Sequence, residues 1–256
     1  MLTGFSYCVI IVLSNEGRKQ TLKIDKRKKY LIGIDTETCN GLVDEEGKVD
    51  LSQSLVYDIG WQVVDKKGKV YRKRSFVVAE IFLDRDLMKG AYYADKIPQY
   101  WKDIKEGKRI LTSLYKIHKT FLSDRKQFKC QTVFAHNAYF DYNALNNTIR
   151  LITCSKCRWF MPYCVEWWDT LKMARDVFSK SPMYSDYCQK NGYLTKHKVP
   201  QNRLTAEILW KYLSGDENFV ESHTGLEDTE IETEILAKCL KIKKNCRKLL
   251  FESRGV

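Results

Sequence analysis

The sequence predicts an α/β protein. Short apolar runs of the kind that form buried strands recur along the chain, and segments with helical spacing of apolar residues lie between and after them. The chain has 256 residues, of which 44% are hydrophobic and only 4 are proline, so its composition excludes a mainly disordered protein. We expect one main domain over residues 30–256 and an N-terminal extension over residues 1–29.

The elements follow from these patterns in chain order. Residues 1–29 carry two apolar runs separated by Ser14-Asn15-Glu16-Gly17, which predicts a β-hairpin. Strands are expected at 31–34, 56–64, 69–79 and 132–135, with a further hairpin or strand pair at 159–163 and 167–170. Helices are expected within 86–124 with a break at Gly107, then at 138–152, 171–179, 181–192 and 205–213, and from 225 to as far as 251.

The net charge of the chain narrows the classes of binding partner that we expect. The chain has 44 Lys and Arg against 32 Asp and Glu, a net charge of +12, which suits a phosphate-bearing partner, a membrane surface or an acidic protein. Its longest apolar run, Tyr7 to Leu13, is about a third of the ~20 residues that span a bilayer, so no membrane segment is expected. Because no signal peptide is evident either, we expect a cytoplasmic protein whose nine cysteines are reduced.

Four cysteines leave a zinc site open as an alternative. Cys154 and Cys157 have the spacing of one zinc-binding pair, and Cys164 and Cys188 follow them. Structural zinc prefers two close pairs, and the second two cysteines are too far apart in sequence to form one. Reduced thiols packed among the neighbouring aromatic residues are therefore the favoured interpretation.

Two carboxylates, Asp35 and Glu37, follow the apolar run at 31–34. Side chains two residues apart share one face of a strand. Like charges at a buried strand end are costly unless a cation neutralises them, and hard oxygen ligands select Mg²⁺ or Mn²⁺. The pair indicates a divalent metal site, and the alternative is a strand end that is simply solvated.

A third carboxylate lies where a strand passes into a helix. Asn137 is a natural N-cap, which would place Asp141 in the second turn of the helix on its apolar face. A carboxylate where an apolar residue is expected suggests a functional role. An ordinary capped helix with a tolerated Asp is the alternative.

The last segment that carries a candidate site carboxylate precedes the C-terminal helix. Thr224 and Glu227 have the spacing of a capping box, which would bring the flanking His223 beside Asp228. Asp228 also shares a helix face with apolar residues, so we expect it to point toward the sheet. The alternative is a surface His near a helix start.

Together these segments supply four carboxylates and one His at strand ends and helix starts, which meet at one edge of an α/β sheet. Four carboxylates can hold two divalent cations roughly 3.5–4 Å apart, which clamp the attacking and leaving oxygens of a phosphodiester. A His with its usual pKa of roughly 6.5 can take a proton from the attacking water at neutral pH. The segments therefore predict metal-dependent cleavage of a phosphodiester.

The order of these motifs resembles the DnaQ-like 3′→5′ exonucleases of the DEDDh subgroup. The resemblance implies a ribonuclease H-like fold, which is a mixed central sheet flanked by helices. The resemblance covers about residues 30–245 and includes Asp58-Ile59-Gly60 and Trp168-Asp169-Thr170-Leu171. It implies that His223 is the general base and that two Mg²⁺ or Mn²⁺ ions are held by Asp35, Glu37, Asp141 and Asp228. It also implies that the terminal nucleotide contacts Thr36, Thr38, Asn137 and Phe140. Gly225, where Ala is commoner in the family, is a departure.

The resemblance implies substrates and partners as well. Single-stranded or frayed 3′ ends are the expected substrate, with DNA favoured and RNA as the alternative. Segments 203–207 and 221–236 are similar to stand-alone exonucleases of phages and mobile elements, which implies a bacterial host cytosol and a DNA polymerase as a candidate proofreading partner. A nucleic-acid-binding scaffold that keeps the fold without catalysis is the alternative.

Overall fold

The centre of the molecule is a six-stranded mixed sheet with helices on both faces. A computed structural model describes residues 29–39, 42–43 and 49–251. The sheet has the strand order β6-β5-β4-β1-β7-β8, and β2 and β3 form a separate two-stranded pair. The strands are β1 (Tyr30–Cys39), β2 (Leu42–Val43), β3 (Val49–Asp50), β4 (Leu55–Asp65), β5 (Val70–Val78), β6 (Ile110–Thr112), β7 (Thr132–Ala135) and β8 (Glu166–Asp169).

The helices fall between β5 and β7 and after β7. Two of them are single turns, and the longest carries the C-terminal motif. They are α1 (Ala79–Phe82), α2 (Arg85–Met88), α3 (Ile97–Lys105), α4 (Leu114–Phe128), α5 (Tyr139–Thr153), α6 (Thr170–Phe178), α7 (Pro182–Asn191), α8 (Ala206–Ser214) and α9 (Gly225–Ile242), with 3₁₀ turns at Leu51–Gln53 and Ala94–Lys96.

Strand β1 is central and is covered on both faces. Ile32 and Ile34 pack into a core that includes residues of α1 to α5, whereas Leu31 packs into a second core with residues of α6 to α9. A strand buried on both sides needs apolar residues at successive positions, which accounts for the continuous apolar run predicted there. The acidic residues later in β1 therefore follow a stretch of the strand that is buried on both faces.

The second half of β1 continues past the residues that pair with β7. β1 runs antiparallel to β4 along its length, and its parallel pairing with β7 joins Ile32 to Val133 and Gly33 to Phe134. β1 thus extends beyond its pairing with β7. Asp35 and Glu37 lie in this extension, opposite Gly60 and Asp58 of β4.

Several element predictions are wrong in detail. Gly107 lies between two helices, α3 and α4, as predicted and has φ of +73°, but the unpredicted strand β6, which pairs with β5, also lies between them. Residues 159–163 form no strand, and α9 ends at Ile242 rather than near 251. A three-residue strand such as β6 exists through pairing with a distant strand, so apolar spacing alone gives no sign of it.

Two further expectations concern the N-terminal residues and membrane-spanning segments. The predicted hairpin at residues 1–29 lies outside the described residues, apart from Lys29. Within the part of the chain that the structure describes, no helix has the length and apolar character needed to cross a bilayer.

Candidate active site

Asp35 and Glu37 lie within β1 rather than beyond its end, as the strand continues to Cys39. Their spacing puts both side chains on the face that α9 covers, while Thr36 between them points to the other face. There the Thr36 hydroxyl donates a hydrogen bond of 2.8 Å to Asp141 Oδ1. Strand β1 therefore presents two carboxylates directly and positions a third.

Helix α5, which carries Asp141, begins one residue later than predicted. Asn137 is not the N-cap; Ala138 is, and Asp141 lies in the first helical turn. Asn137 instead has a left-handed backbone with φ of +62°, a conformation that Asn tolerates better than most residues. Its N–H donates to Asp169 Oδ1 at 3.1 Å, which fixes the bend between β7 and α5.

The start of α9 supplies His223 and Asp228. Thr224 is the N-cap, as the sequence predicts, but the reciprocal capping box is absent from this helix start. Asp228 Oδ2 accepts the Thr224 N–H at 3.0 Å, and the Thr224 hydroxyl donates to Glu227 at 2.8 Å. His223 has a left-handed backbone with φ of +53°, which turns it back toward Asp228.

These side chains converge. One ligand atom each of Glu37, His223 and Asp228 lies within 4.8 Å of the other two. Asp35 lines one cavity together with these three residues, and burial, with added repulsion from Asp141, Asp228 and Glu37, raises the pKa of its carboxyl. The structure thus groups Glu37, His223 and Asp228 and places Asp35 beside them, while Asp141 joins β1 through its bond to Thr36.

A buried network fixes the N-terminus of α9 against the sheet. Asp58 Oδ2 accepts the Gly225 N–H at 2.9 Å and the Tyr100 hydroxyl at 2.7 Å, and Arg109 lies 3.4 Å from the same oxygen. Arg109 also pairs with Asp103 at 3.0 Å and with Glu227 at 2.9 Å. This network orients the segment that carries His223 and Asp228.

Helix α9 approaches the sheet more closely than any side chain would allow. A Cβ on Gly225 would lie 2.8 Å from the Asp35 carbonyl oxygen and from the Gly60 nitrogen. A Cβ on Gly60 would lie 2.1 Å from the nitrogen of Leu226. The departure from Ala at Gly225 therefore has a physical reason, because backbone here packs on backbone.

The carboxylates repel one another in a buried site. Burial, with repulsion from Asp228 and other acids, raises the pKa of Glu37 to about 9. Burial likewise raises the pKa of Asp228 to about 8 and that of Asp141 to about 7, and it raises the pKa of Asp35 well above its ordinary value. Burial, with the nearby charge of Lys96, lowers the pKa of His223, so its ring is neutral near pH 7.

Three residues of the site were not predicted from the sequence. Glu232 follows Asp228 by one turn of α9 and is 2% exposed. Glu221 is half-buried, and burial, with repulsion from Glu207, raises its pKa to about 7. The ring of Tyr93 stacks on His223 with centroids 4.0 Å apart and planes 9° apart. For Glu232, the spacing of four residues from Asp228 on the same helix was the one indication in the sequence of a place in the site.

Two cavities meet at the carboxylates and share Asp35 and Glu221. The smaller, of about 320 Å³, is lined by Glu37, His223 and Tyr93, and also by Thr36, Thr38, Phe140 and Asp228. The larger, of about 1300 Å³, is lined by Asn137 and Glu232 and extends to Arg175 and Arg203. Of the predicted nucleotide contacts, Thr36, Thr38 and Phe140 therefore face the smaller cavity and Asn137 the larger.

Solved structures similar to this chain share its fold. No protein-family model and no curated protein matches the sequence. A 3′-exonuclease described for specific recognition of the histone mRNA stem-loop is 12% identical, covering 91% of this chain and 73% of its own, with a TM-score of 0.55. A full-length 3′-exonuclease is 11% identical, covering 93% and 72%, with a TM-score of 0.54. The chain has the fold of these 3′-exonucleases.

An Exonuclease I from Methylocaldum szegediense has the same fold over a smaller part of its length. It is 11% identical, and the match covers 85% of this chain and 41% of that chain with a TM-score of 0.54. The predicted α/β class, a ribonuclease H-like mixed sheet flanked by helices, is confirmed.

The donor set of the site fits a hard divalent cation. Asp35, Glu37, Asp141, Asp228 and Glu232 form no ion pair with any Lys or Arg that the structure describes. Glu232 Oε2 is buried and has no hydrogen-bond partner among these residues. Oxygen donors that lack a protein cation are the ligands that Mg²⁺ and Mn²⁺ take.

The cysteines proposed as alternative zinc ligands do not form such a group. Among the described residues, the His, Cys, Asp and Glu side chains placed to share one ion are Glu37, His223 and Asp228. Cys188 is buried, whereas Cys154, Cys157 and Cys164 are exposed, and all four are free thiols.

Proposed function

We propose that this chain is a metal-dependent 3′→5′ exonuclease that removes nucleotides from single-stranded or frayed 3′ ends. The observation that carries the proposal is the convergence of Glu37, His223 and Asp228 within 4.8 Å, with Asp35 and Asp141 beside them. The net charge of +12 supports a polyanionic substrate. The 3′-exonuclease fold supports this reaction class by analogy.

Two Mg²⁺ or Mn²⁺ ions, held by Asp35, Glu37, Asp141 and Asp228, would neutralise the charge that develops on the attacking and leaving oxygens. Water attacks the phosphorus of the last phosphodiester, the bond to O3′ of the preceding nucleotide breaks, and a nucleoside 5′-monophosphate leaves. The neutral ring of His223 accepts the proton of the attacking water. Tyr93, stacked on that ring, holds its orientation.

The two cavities suggest where the strand lies. In an in-line displacement the leaving O3′, which carries the rest of the strand, is opposite the attacking water. His223 lines the smaller cavity, so the terminal nucleotide belongs there with Thr38 and Phe140. The remaining strand then leaves through the larger cavity, where Arg175 and Arg203 meet its phosphates.

A degradation time course tests the proposal. A 5′-labelled single-stranded DNA and the matching RNA are each incubated with Mg²⁺ or with EDTA. A Mg²⁺-dependent ladder that shortens from the 3′ end is expected, and the faster substrate shows which nucleic acid is preferred. Intact strands that still bind the protein would mean that it is a scaffold.

Finer assignments rest on the sequence. We infer a phage or mobile-element origin and a proofreading role beside a DNA polymerase from the segments 203–207 and 221–236, and a phage origin would place the chain in the cytosol of a bacterial host. Co-purification of a replicative polymerase with the tagged chain is the expected result, and its absence would leave the nuclease acting alone.

A further inference from the structure

Glu232 is a buried carboxylate beside the candidate site, and one of its oxygens has no hydrogen-bond partner among the described residues. It is 2% exposed, and one oxygen, Oε1, accepts the His136 backbone N–H at 2.9 Å. The other, Oε2, is buried without a hydrogen-bond partner among the residues that the structure describes. Glu232 and Asp35 line the same cavity, and repulsion from Glu232 acts on the carboxyl of Asp35, so the two carboxylates are neighbours.

The surroundings of Glu232 make its negative charge costly. Side chains four residues apart on a helix are neighbours, so Asp228 lies one turn away on the same face of α9. After burial, repulsion from Glu232 is the largest influence on the carboxyl of Asp35. A buried carboxylate that other acids repel and no cation pairs with is destabilising by several kcal/mol.

Accepting the His136 N–H does not require a charge. A Gln at this position has an oxygen with the same reach, and it adds no repulsion to a cluster that already holds four carboxylates. The acid must therefore serve something besides the backbone bond. Asp35 borders both cavities, while Glu37, His223 and Asp228 line the smaller one and Glu232 the larger.

We propose that Glu232 is a fifth carboxylate of the metal site and holds the second of two divalent cations together with Asp35. The first cation belongs to Glu37 and Asp228 on the side of His223. This inference rests on the proposed function, since it adds a ligand to the metal site of that function.

The test is a Mn²⁺ titration of metal-free protein by calorimetry, with no substrate present. The variant is Glu232→Gln, which keeps the acceptor for His136 and removes the charge. The matched control is Glu234→Gln, which removes one charge from an exposed position of the same helix. Thermal unfolding of each protein is measured with EDTA and with Mn²⁺.

We expect the parent chain and Glu234→Gln to bind two Mn²⁺ ions. In Glu232→Gln the second ion should be lost or bound about 10–100-fold more weakly, with the first unchanged. In EDTA this variant should unfold at a higher temperature than the parent, because one repelling charge is gone, and it should gain less from Mn²⁺.

Two results would overturn the inference in distinguishable ways. If Glu232→Gln binds both ions like the parent chain, Glu232 is only a backbone acceptor and the nuclease proposal stands. If the parent chain binds no Mn²⁺, the proposed metal-dependent function fails together with the inference.

Discussion

Gly60→Ala tests whether the close approach of α9 to β4 positions the site. The new Cβ would lie 2.1 Å from the Leu226 nitrogen and 2.3 Å from the Gly225 carbonyl carbon, whereas ordinary contact begins at 3.4 Å. Both obstructing atoms belong to the backbone, so the start of α9 must withdraw by about 1 Å or more. A misplacement of ~1 Å can cost about 10²-fold in rate, and overpacking costs about 1–3 kcal/mol of stability.

The assay is release of the 3′ nucleotide under single-turnover conditions, together with thermal unfolding. We expect the rate to fall about 100-fold and the midpoint to fall by about 2–10 °C. Gly215→Ala is the control, because Gly215 ends α8 with φ of +75° and nothing within 4 Å of a new Cβ. It should destabilise the protein and leave the rate unchanged. A Gly60→Ala variant with normal rate and stability would refute the reasoning.

Three further predictions concern the site itself. Asp35→Asn should abolish nucleotide release. In EDTA it should also raise the unfolding temperature, more at pH 8 than at pH 5, because burial raises the pKa of Asp35 and its ionised form loses stability as pH rises. A lower unfolding temperature at both pH values would make Asp35 a structural residue. His223→Ala should slow release by roughly 10²–10⁴-fold with Mn²⁺ affinity retained in calorimetry, and lost affinity would make it a ligand instead. Tyr93→Ala should slow release about 2–10-fold because the stack on His223 is lost, whereas Tyr93→Phe, which keeps the ring, should match the parent chain in the same assay.

Local spacing was sufficient to predict the parts of the site that a single element provides. Asp35 and Glu37 share a strand face by their spacing, and His223 and Asp228 meet through the start of one helix. The prediction at Asn137 was wrong because a residue between strand and helix can adopt a left-handed backbone, and its bond to Asp169 of β8 decides that choice. Such a bond depends on the sheet and not on the local sequence.

Residues that join the site from another element could not be predicted in the same way. Tyr93 comes from the segment between α2 and α3, and it reaches His223 only because α9 is fixed against the sheet. Arg109 has no distinctive motif, although it pairs with Asp58, Asp103 and Glu227. These contacts require the relative placement of distant segments, which hydrophobic periodicity does not encode.

Two sets of buried acids lie around α9. Side chains of the described chain neutralise one set and leave the other without a cation. Asp58 is 0% exposed, yet Arg109, the Tyr100 hydroxyl and the Gly225 N–H all converge on one of its oxygens. Directly opposite Asp58, on strand β1, Glu37 faces Asp228 and His223 with no guanidinium or ammonium group of the described chain paired to it. The chain thus supplies a cation where the carboxylate is structural and omits one where five carboxylates meet. Burying that many like charges is unfavourable by several kcal/mol per ion, and this cost is the physical reason for assigning divalent cations to the cluster in the proposed function.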